Sequence, residues 1–317
     1  MKKILYLSFA ICQIILIISC KKEAIRTTPI ITTLPVSNIT ETSAMCGGNA
    51  TSDGGEVITI KGICWSVNQN PTISDNKSTN GTGVGNFSYN IEGLTENTTY
   101  YIRAYATNMI GTSYGDNVSL TTKPLTDIDG NIYNTIKIGT QVWMASNLKT
   151  TKYNDGSIIP NVINGFAWMI YYQGAYCDYN NYSNNSNLHG RLYNWYSTNS
   201  GKLCPKGWHV PSYDEWDALI TFLGGSGVAG GKLKSTGTTT WQNPNLDANN
   251  SSGFNAQPGG CRYEGTFNWY GQRCDLWSST EYSSQYIWTF SLMYDRKSVF
   301  IGYMSKPDGL SIRCIKD

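Results

Sequence analysis

Apolar and polar residues alternate over short stretches through residues 29–123. Val57, Thr59, Lys61 and Ile63 stand at every second place, the period of a strand with one buried face. Asp53-Gly54-Gly55, Asn80-Gly81 and Gly83 to Gly85 punctuate these runs as turns, and no helical period interrupts them. This region reads as all-β. Pro124-Leu125-Thr126 marks a boundary, and beyond it the pattern mixes strands with helix. Asp129-Gly130 turns between Ile128 and Ile132, and Gly139-Thr140 between Ile136-Lys137-Ile138 and Val142-Trp143-Met144, predicting a hairpin. Ser212 with Glu215 forms a capping box, Trp216, Leu219, Ile220 and Leu223 follow at helical spacing, and Gly224-Gly225 ends the helix. A shorter helix is expected around Leu192, Trp195 and Tyr196. From Trp241 onward, loops rich in Asn, Gly and Ser are expected, with short strands near Trp277, 287–292, 299–303 and 311–315.

At 317 residues the chain suits two domains. Nine of the ten tryptophans and sixteen of the 22 tyrosines fall after the boundary, so the halves differ in composition as well as period. Hydrophobic residues make up 40% and charged ones 15%, enough apolar matter for two cores under a neutral polar surface. A net charge of +2 gives no field suited to nucleic acid, and that class of partner is set aside.

Residues 1–19 read as an export signal: Lys2 and Lys3, then a short apolar run from Ile4 to Ile18. That run is shorter than the ~20 residues a membrane-spanning helix needs. Ile17-Ile18-Ser19-Cys20 resembles the lipobox of bacterial lipoproteins, which implies cleavage before Cys20, lipid on its thiol and a membrane as partner through that anchor. The expected address is the outer membrane, at the cell surface. Residues 20–28 form a polar tether. Seven cysteines follow Cys20, and in an oxidising compartment they point to disulfides; no Cys-x-x-Cys pair suggests zinc. Cys46 and Cys64 lie on early strands and either bridge the two sheets or stay reduced.

Two family resemblances sharpen the picture. Leu94-Thr95-Glu96-Asn97-Thr98-Thr99-Tyr100, followed by Ile102, Ala104, Ala106, Asn108 and Gly111, resembles fibronectin type III and related immunoglobulin-like sandwiches. That resemblance makes Tyr100 the corner tyrosine and turns Ile102 and Ala104 inward, with Glu96 where the family usually has proline. Gly139 to Leu148, Gly190 to Tyr196, Cys204 to Ser212, Trp277 to Glu281 and Ser311 to Cys314 resemble, as an ordered series, the Fibrobacter succinogenes major paralogous domain. It implies a surface lipoprotein and an irregular α+β domain distantly related to C-type lectins and the formylglycine-generating enzyme. The expected architecture is therefore mainly β plus α+β: a sandwich at 29–123, a linker at 124–127 and the second domain at 128–317.

The candidate chemistry is sparse. Asp127-Ile128-Asp129-Gly130-Asn131 opens like a calcium loop, but Gly130 comes too early and Ile138 stands where a bidentate glutamate is wanted, so a turn is expected. Gly225-Ser226-Gly227-Val228-Ala229-Gly230 matches a dinucleotide fingerprint only in letters; it follows a helix rather than a strand and is read as a flexible turn. His189 and His209 are the sole imidazoles, and neither follows a nucleophile elbow. Asp214 and Glu215 suit a helix first turn. The copper-binding cysteine pair of formylglycine-generating enzymes has no counterpart here. Cys204 with Cys314 is the expected bridge across the domain, Cys261 with Cys274 a second one clamping the 262–273 loop, and Cys177 the odd thiol. Trp143, Trp195, Trp208, Trp216 and Trp277 are assigned to the core. Trp241, Trp269, Tyr270 and Trp288, with Arg262, lie in or beside polar loops and form the candidate ligand site, where rings stack on sugar faces. The expectation is a non-enzymatic binding or adhesion module for a glycan or a surface protein, with no cofactor and no catalytic residue. The alternatives are a catalytic relative of the formylglycine-generating fold and a structural surface scaffold.

Overall fold

The computed structural model describes residues 25–317; Cys20 and the stretch expected to be an export signal lie outside the described residues. The chain divides into two compact units. One takes the residues through Asn38 with Ala44–Ile91 and Tyr100–Leu120; the other takes Ile39–Ser43, Glu92–Thr99 and Thr121–Asp317.

The first unit is a sandwich of two antiparallel sheets. β1 (Ile30–Thr33), β2 (Ala44–Ser52) and β5 (Gly85–Ile91) pair in the order β1-β2-β5. β4 (Asn76–Lys77), β3 (Ile60–Ser66), β6 (Thr99–Thr107) and β7 (Thr112–Tyr114) form the second sheet, with β8 (Val118–Thr121) also on β6. The period-2 alternation decides what meets between the sheets. Ile63 pairs with Ala104, and both are fully buried, as is Ile102. From the facing sheet comes Gly48, where an added Cβ would stand 2.5 Å from the Ala104 Cβ, so only glycine fits. Tyr100 enters at the start of β6, half-buried.

The same alternation rules out the bridge between Cys46 and Cys64. Cys46 shares its strand face with Gly48 and points between the sheets, whereas Cys64 pairs with Arg103 on the opposite face from Ile63. Both are buried free thiols; Cys64 Sγ donates to the carbonyls of Pro71 (3.3 Å) and Arg103 (3.4 Å).

The second unit is α+β. β9 (Leu125–Thr126) and β10 (Ile132–Tyr133) pair around Asp127 to Asn131. Leu125, expected in a linker, is buried in the core of this unit. β11 (Thr135–Ile138) and β12 (Gln141–Met144) form the hairpin at Gly139-Thr140. α1 (Gly165–Met169), β13 (Tyr176–Cys177), α2 (Ser183–His189), β14 (Leu192–Tyr193), α3 (Trp195–Thr198) and β15 (Trp208–His209) follow. Leu192, expected on a helix, is on β14, because Asn194 caps the helix only after it by accepting from Ser197 N. α4 (Tyr213–Phe222) carries the capping box and buries Trp216, Leu219 and Ile220. α5 (Ser226–Leu233) occupies the stretch read as a flexible turn. Its glycines buy close approach: a Cβ on Gly230 would meet the Ser298 carbonyl oxygen at 2.5 Å, and one on Gly231 the Asp247 carbonyl oxygen at 2.6 Å. The hairpin β16 (Cys261–Tyr263) and β17 (Thr266–Asn268) lies inside a region expected to be loop. β18 (Arg273–Glu281), β19 (Tyr286–Met293) and β20 (Val299–Ser305) form a three-stranded sheet, and β21 (Ile315–Lys316) joins β12 and β15.

Two cores flank that three-stranded sheet. Trp277 and Ile287 point into one with Tyr193, Leu310 and Ile312; Leu276, Phe290 and Leu292 point into the other with Trp143, Trp216 and Phe254. Trp216 stacks on Phe290 at 5.0 Å and tilts against Trp143 at 4.8 Å. Each such ring contributes roughly 2–3 kcal/mol by burial, with about 1 more per aromatic pair. Cys204 and Cys314 are joined by a disulfide spanning 110 residues. Cys261 and Cys274 are not joined: Cys261 sits in the first core and Cys274 in the second, on opposite sides, and both are free. Cys177 is likewise a buried free thiol.

Candidate functional site

The five candidate residues do not gather into one site. Trp241 is 1% exposed and donates from Nε1 to Ser235 Oγ (3.0 Å) and the Ala256 carbonyl (3.1 Å), so its ring is core. Arg262, also 1% exposed, donates to the carbonyls of Val162 and Ile163, each at 2.7 Å, and of Gly265 at 3.2 Å. Its guanidinium lies over Trp168 and Phe267. A cation so engaged clamps two backbone segments, and at this burial it is out of reach of a ligand. Trp269 is half-buried under the Arg273 guanidinium, 4.3 Å from its ring centre, while Arg273 is held by Asp275 at 2.8 Å. Tyr270 is exposed, yet its hydroxyl meets His189 Nε2 at 2.9 Å and its ring packs on Tyr179 at 4.8 Å. Flanking polarity in the sequence misled here, because backbone carbonyls supplied partners for Trp241 and Arg262, and the side chains of Arg273, His189 and Tyr179 did so for Trp269 and Tyr270.

Trp288 is different. β19 alternates Tyr286, Trp288, Phe290 and Leu292 onto one face. Phe290 and Leu292 are covered by α4 and α5, but the sheet outruns this cover at Tyr213, the first residue of α4, which packs on Trp288 at 4.9 Å. Beyond it the face is open. Tyr303 lies opposite Trp288 in the ladder, and Tyr282 stacks on Tyr303 with ring centres 4.5 Å apart and planes 1° from parallel. Tyr282 also meets the Trp288 ring edge-on at 4.8 Å, and Tyr286 meets Tyr303 at 5.2 Å. Tyr303 is 52% exposed, Tyr282 49% and Tyr286 37%. Their hydroxyls have no hydrogen-bond partner among the described residues. Ser283, Ser284 and Gln285 in the β18–β19 turn add exposed polar groups beside the rings. Each ring braces its neighbours, so the face is fixed in shape before any ligand arrives, which lowers the entropy cost of binding. Tyr213, Tyr282, Tyr286 and Tyr303 were missed from sequence; the signal was Tyr286, Trp288 and Phe290 at every second place, an aromatic stripe too long for the helix that covers it.

The titratable groups singled out in the sequence sit in structural contacts. Asp127 accepts from Asp129 N, Asn131 N, Asn131 Nδ2 and the Tyr133 hydroxyl, and Asp129 Oδ2 accepts from Thr151 N and Thr151 Oγ1, so the calcium-like run is a self-satisfied turn. Among the described residues no group of three or more His, Cys, Asp or Glu could hold a metal ion. His209 lies between Asp317 (2.6 Å) and Glu215 (2.8 Å), and His189 is buried with its pKa pulled down to about 4 by desolvation. Burial pushes the thiols of Cys46, Cys177 and Cys274 up to about 12 and that of Cys64 up to about 11, which keeps them protonated and unreactive. No described helix is long and apolar enough to cross a membrane.

Among curated proteins none matches this chain. Solved structures similar to it include the short sensor domain of the anti-sigma factor RsgI4 in Pseudobacteroides cellulosolvens, at 18% identity over 31% of this chain and 98% of that one, TM-score 0.25. A fibronectin type III domain of the human KIAA0970 protein matches at 13% identity over 29% and 72%, TM-score 0.22. The sixth fibronectin type III domain of human fibronectin type III domain containing protein 3 matches at 23% over 33% and 91%, TM-score 0.23. At such scores the sandwich assignment rests on the strand order described above. Residues 136–316 match the Fibrobacter succinogenes major domain, a range that takes in the β11–β12 turn, most of both cores, the disulfide and the open aromatic face. The chain belongs to the Fibrobacter succinogenes major domain family.

Proposed function

We propose that this is a lipid-tethered envelope protein whose second unit binds glycans, without catalysis, on the face formed by Tyr282, Tyr286, Trp288 and Tyr303. The observation that carries this reading is the open face itself: four mutually braced rings, three of them well exposed, with unpaired hydroxyls beside a polar turn. Rings of this kind stack on the C–H faces of sugars while hydroxyl and amide groups meet the sugar hydroxyls. The sandwich then serves as a spacer and the Cys20 lipid as the anchor in the outer membrane. Kinship with the formylglycine-generating enzyme and C-type lectin folds is compatible with this role; a catalytic role of that type needs an accessible cysteine pair, and the buried free thiols weigh against it.

A glycan array probed with the soluble mature chain tests the site. Binding is expected, and Trp288→Ala and Tyr303→Ala each weaken it at least tenfold while Trp269→Ala leaves it intact. An array with no bound glycan, or binding indifferent to Trp288 and Tyr303, overturns the assignment. The anchor is tested separately by mass spectrometry of the native protein, where an acyl mass on Cys20 is expected and an unmodified residue there refutes it.

A further inference from the structure

We infer that the outer edge of β20 pairs with the same edge of a second copy of this chain, antiparallel about Gly302, to make a continuous six-stranded sheet. β20 is the last strand of the β18-β19-β20 sheet and is paired on one side alone. Its register with β19 runs unbroken from Val299 to Ser305, without a bulge. Among the described residues nothing outside β19 bonds the main chain of residues 299–304. Ser305 gives its N–H to Asp308 Oδ2 at 3.0 Å rather than to β19, so the outward-facing main chain is that of Ser305 and, by alternation, Tyr303 and Ile301.

A row of free N–H and C=O groups on a regular strand is complementary to another extended backbone. Natural edges of this length are usually blunted by lysine, proline or a bulge, and Val299-Phe300-Ile301-Gly302-Tyr303-Met304-Ser305 has none of these. The comparable edge of the sandwich, β5, is guarded: Lys61 Nζ takes the Gly85 carbonyl at 3.2 Å and Asn80 Nδ2 the Ser88 carbonyl at 3.3 Å.

The side chains favour a second copy as the occupant. Centring the two-fold on Gly302 sets Phe300 opposite Met304 of the second copy and Ile301 opposite its Tyr303. Phe300, 49% exposed, and Tyr303, 52% exposed, both gain an apolar neighbour. Lys306 comes opposite Ser298 and Lys297 opposite Pro307, so no like charges face each other. The outward residues also pair with outward residues in this register, as a ladder requires. Gly302 facing its twin leaves room for the Phe300 ring, whose Cε1 lies 2.7 Å from where a Gly302 Cβ would stand. A two-fold contact of this kind closes on itself and stops at a dimer. It would also set two copies of the Trp288–Tyr303 face side by side, on the sheet surface opposite Phe300.

Gly302→Cys tests the register directly. Facing Cα atoms in a non-hydrogen-bonded antiparallel pair stand about 4.5 Å apart, within disulfide reach, and the native free thiols are buried. Under mild oxidation Gly302→Cys is expected to form a covalent dimer at least tenfold faster than Ser283→Cys, an exposed site off the edge. Phe300→Lys with Met304→Lys is expected to give a folded monomer by sedimentation under conditions where the parent chain dimerises, with glycan binding per copy unchanged. A parent chain that is monomeric at every concentration, a dimer that survives the double substitution, or cross-linking of Gly302→Cys no faster than Ser283→Cys refutes the pairing. None of these outcomes bears on the glycan site.

Discussion

Nδ1 of His209 stands 2.6 Å from Oδ1 of Asp317, and Nε2 of the same ring stands 2.8 Å from Oε1 of Glu215. Glu215 is also the capping-box residue of α4, accepting from Ser212 N at 2.8 Å. One imidazole thus ties β15, the residue after β21 and the start of α4 together. Burial alone would lower its pKa; the hydrogen bonds to Asp317 and Glu215 outweigh that and raise it. A raised histidine pKa stabilises the fold fully below the unfolded value and loses that contribution as pH climbs through the folded one. The side chain is 41% exposed, so screening holds the effect to about 1 kcal/mol or less. His209→Gln should therefore lower the melting temperature measurably on the acid side of the histidine range and hardly at all on the alkaline side. An equal loss at both pH values would show that the ion pairs contribute nothing.

His189 works in the opposite direction. It is 3% exposed, and burial takes its pKa from 6.5 down to about 4. The folded state therefore binds fewer protons than the unfolded chain between those values. Stability is fully present above 6.5, and about 3 kcal/mol of it is lost as pH falls toward 4. His189→Gln keeps an acceptor for the Tyr270 hydroxyl and cannot be protonated. Urea unfolding across this range should show a shallower acid slope in the variant; identical slopes would mean that His189 is already charged in the folded protein.

Arg262 carries a prediction that separates clamp from ligand contact. Its three acceptor carbonyls belong to the segments before α1 and between β16 and β17. Removing the guanidinium strands those carbonyls in a dry site and costs about 3–5 kcal/mol. Arg262→Ala should unfold at markedly lower urea than the parent, yet the folded fraction should bind glycan with unchanged affinity. Lost affinity at unchanged stability would return Arg262 to the binding site.

Several features were legible in the sequence because they are local. The capping box at Ser212 and Glu215, the Gly139-Thr140 turn and the Ile63 alternation each depend on residues a few places apart, and each stands where the pattern put it. The Cys204–Cys314 bridge was expected from the places of the two cysteines, one before the capped helix and one at the last strand, and it is present. What stayed hidden is long-range. Whether Trp241 meets solvent or the Ala256 carbonyl is decided by chain fifteen residues away, and the open face at Trp288 exists because α4 begins at Tyr213 and covers no more of the sheet. The Gly225 to Gly230 run failed for another reason: helix propensity argues against glycine there, but packing against the Ser298 carbonyl requires it.

The cysteine pattern gives the last prediction. Residues 25–317 hold seven cysteines, with Cys204 and Cys314 bridged and the other five buried and reduced. A thiol reagent should label none of the five in the folded protein and all five after unfolding without reductant. If Cys46 with Cys64, or Cys261 with Cys274, were also bridged, the unfolded count would fall by two for each. The single bridge closes a loop of 110 residues, which in the chain-entropy account contributes about 5 kcal/mol. Cys204→Ser with Cys314→Ser should lower stability by about 2–5 kcal/mol, and reductant should do the same to the parent and nothing to the variant. Equal sensitivity of both proteins to reductant would place a disulfide among the other five cysteines, and the separation argued for Cys46 from Cys64 or for Cys261 from Cys274 would then be wrong.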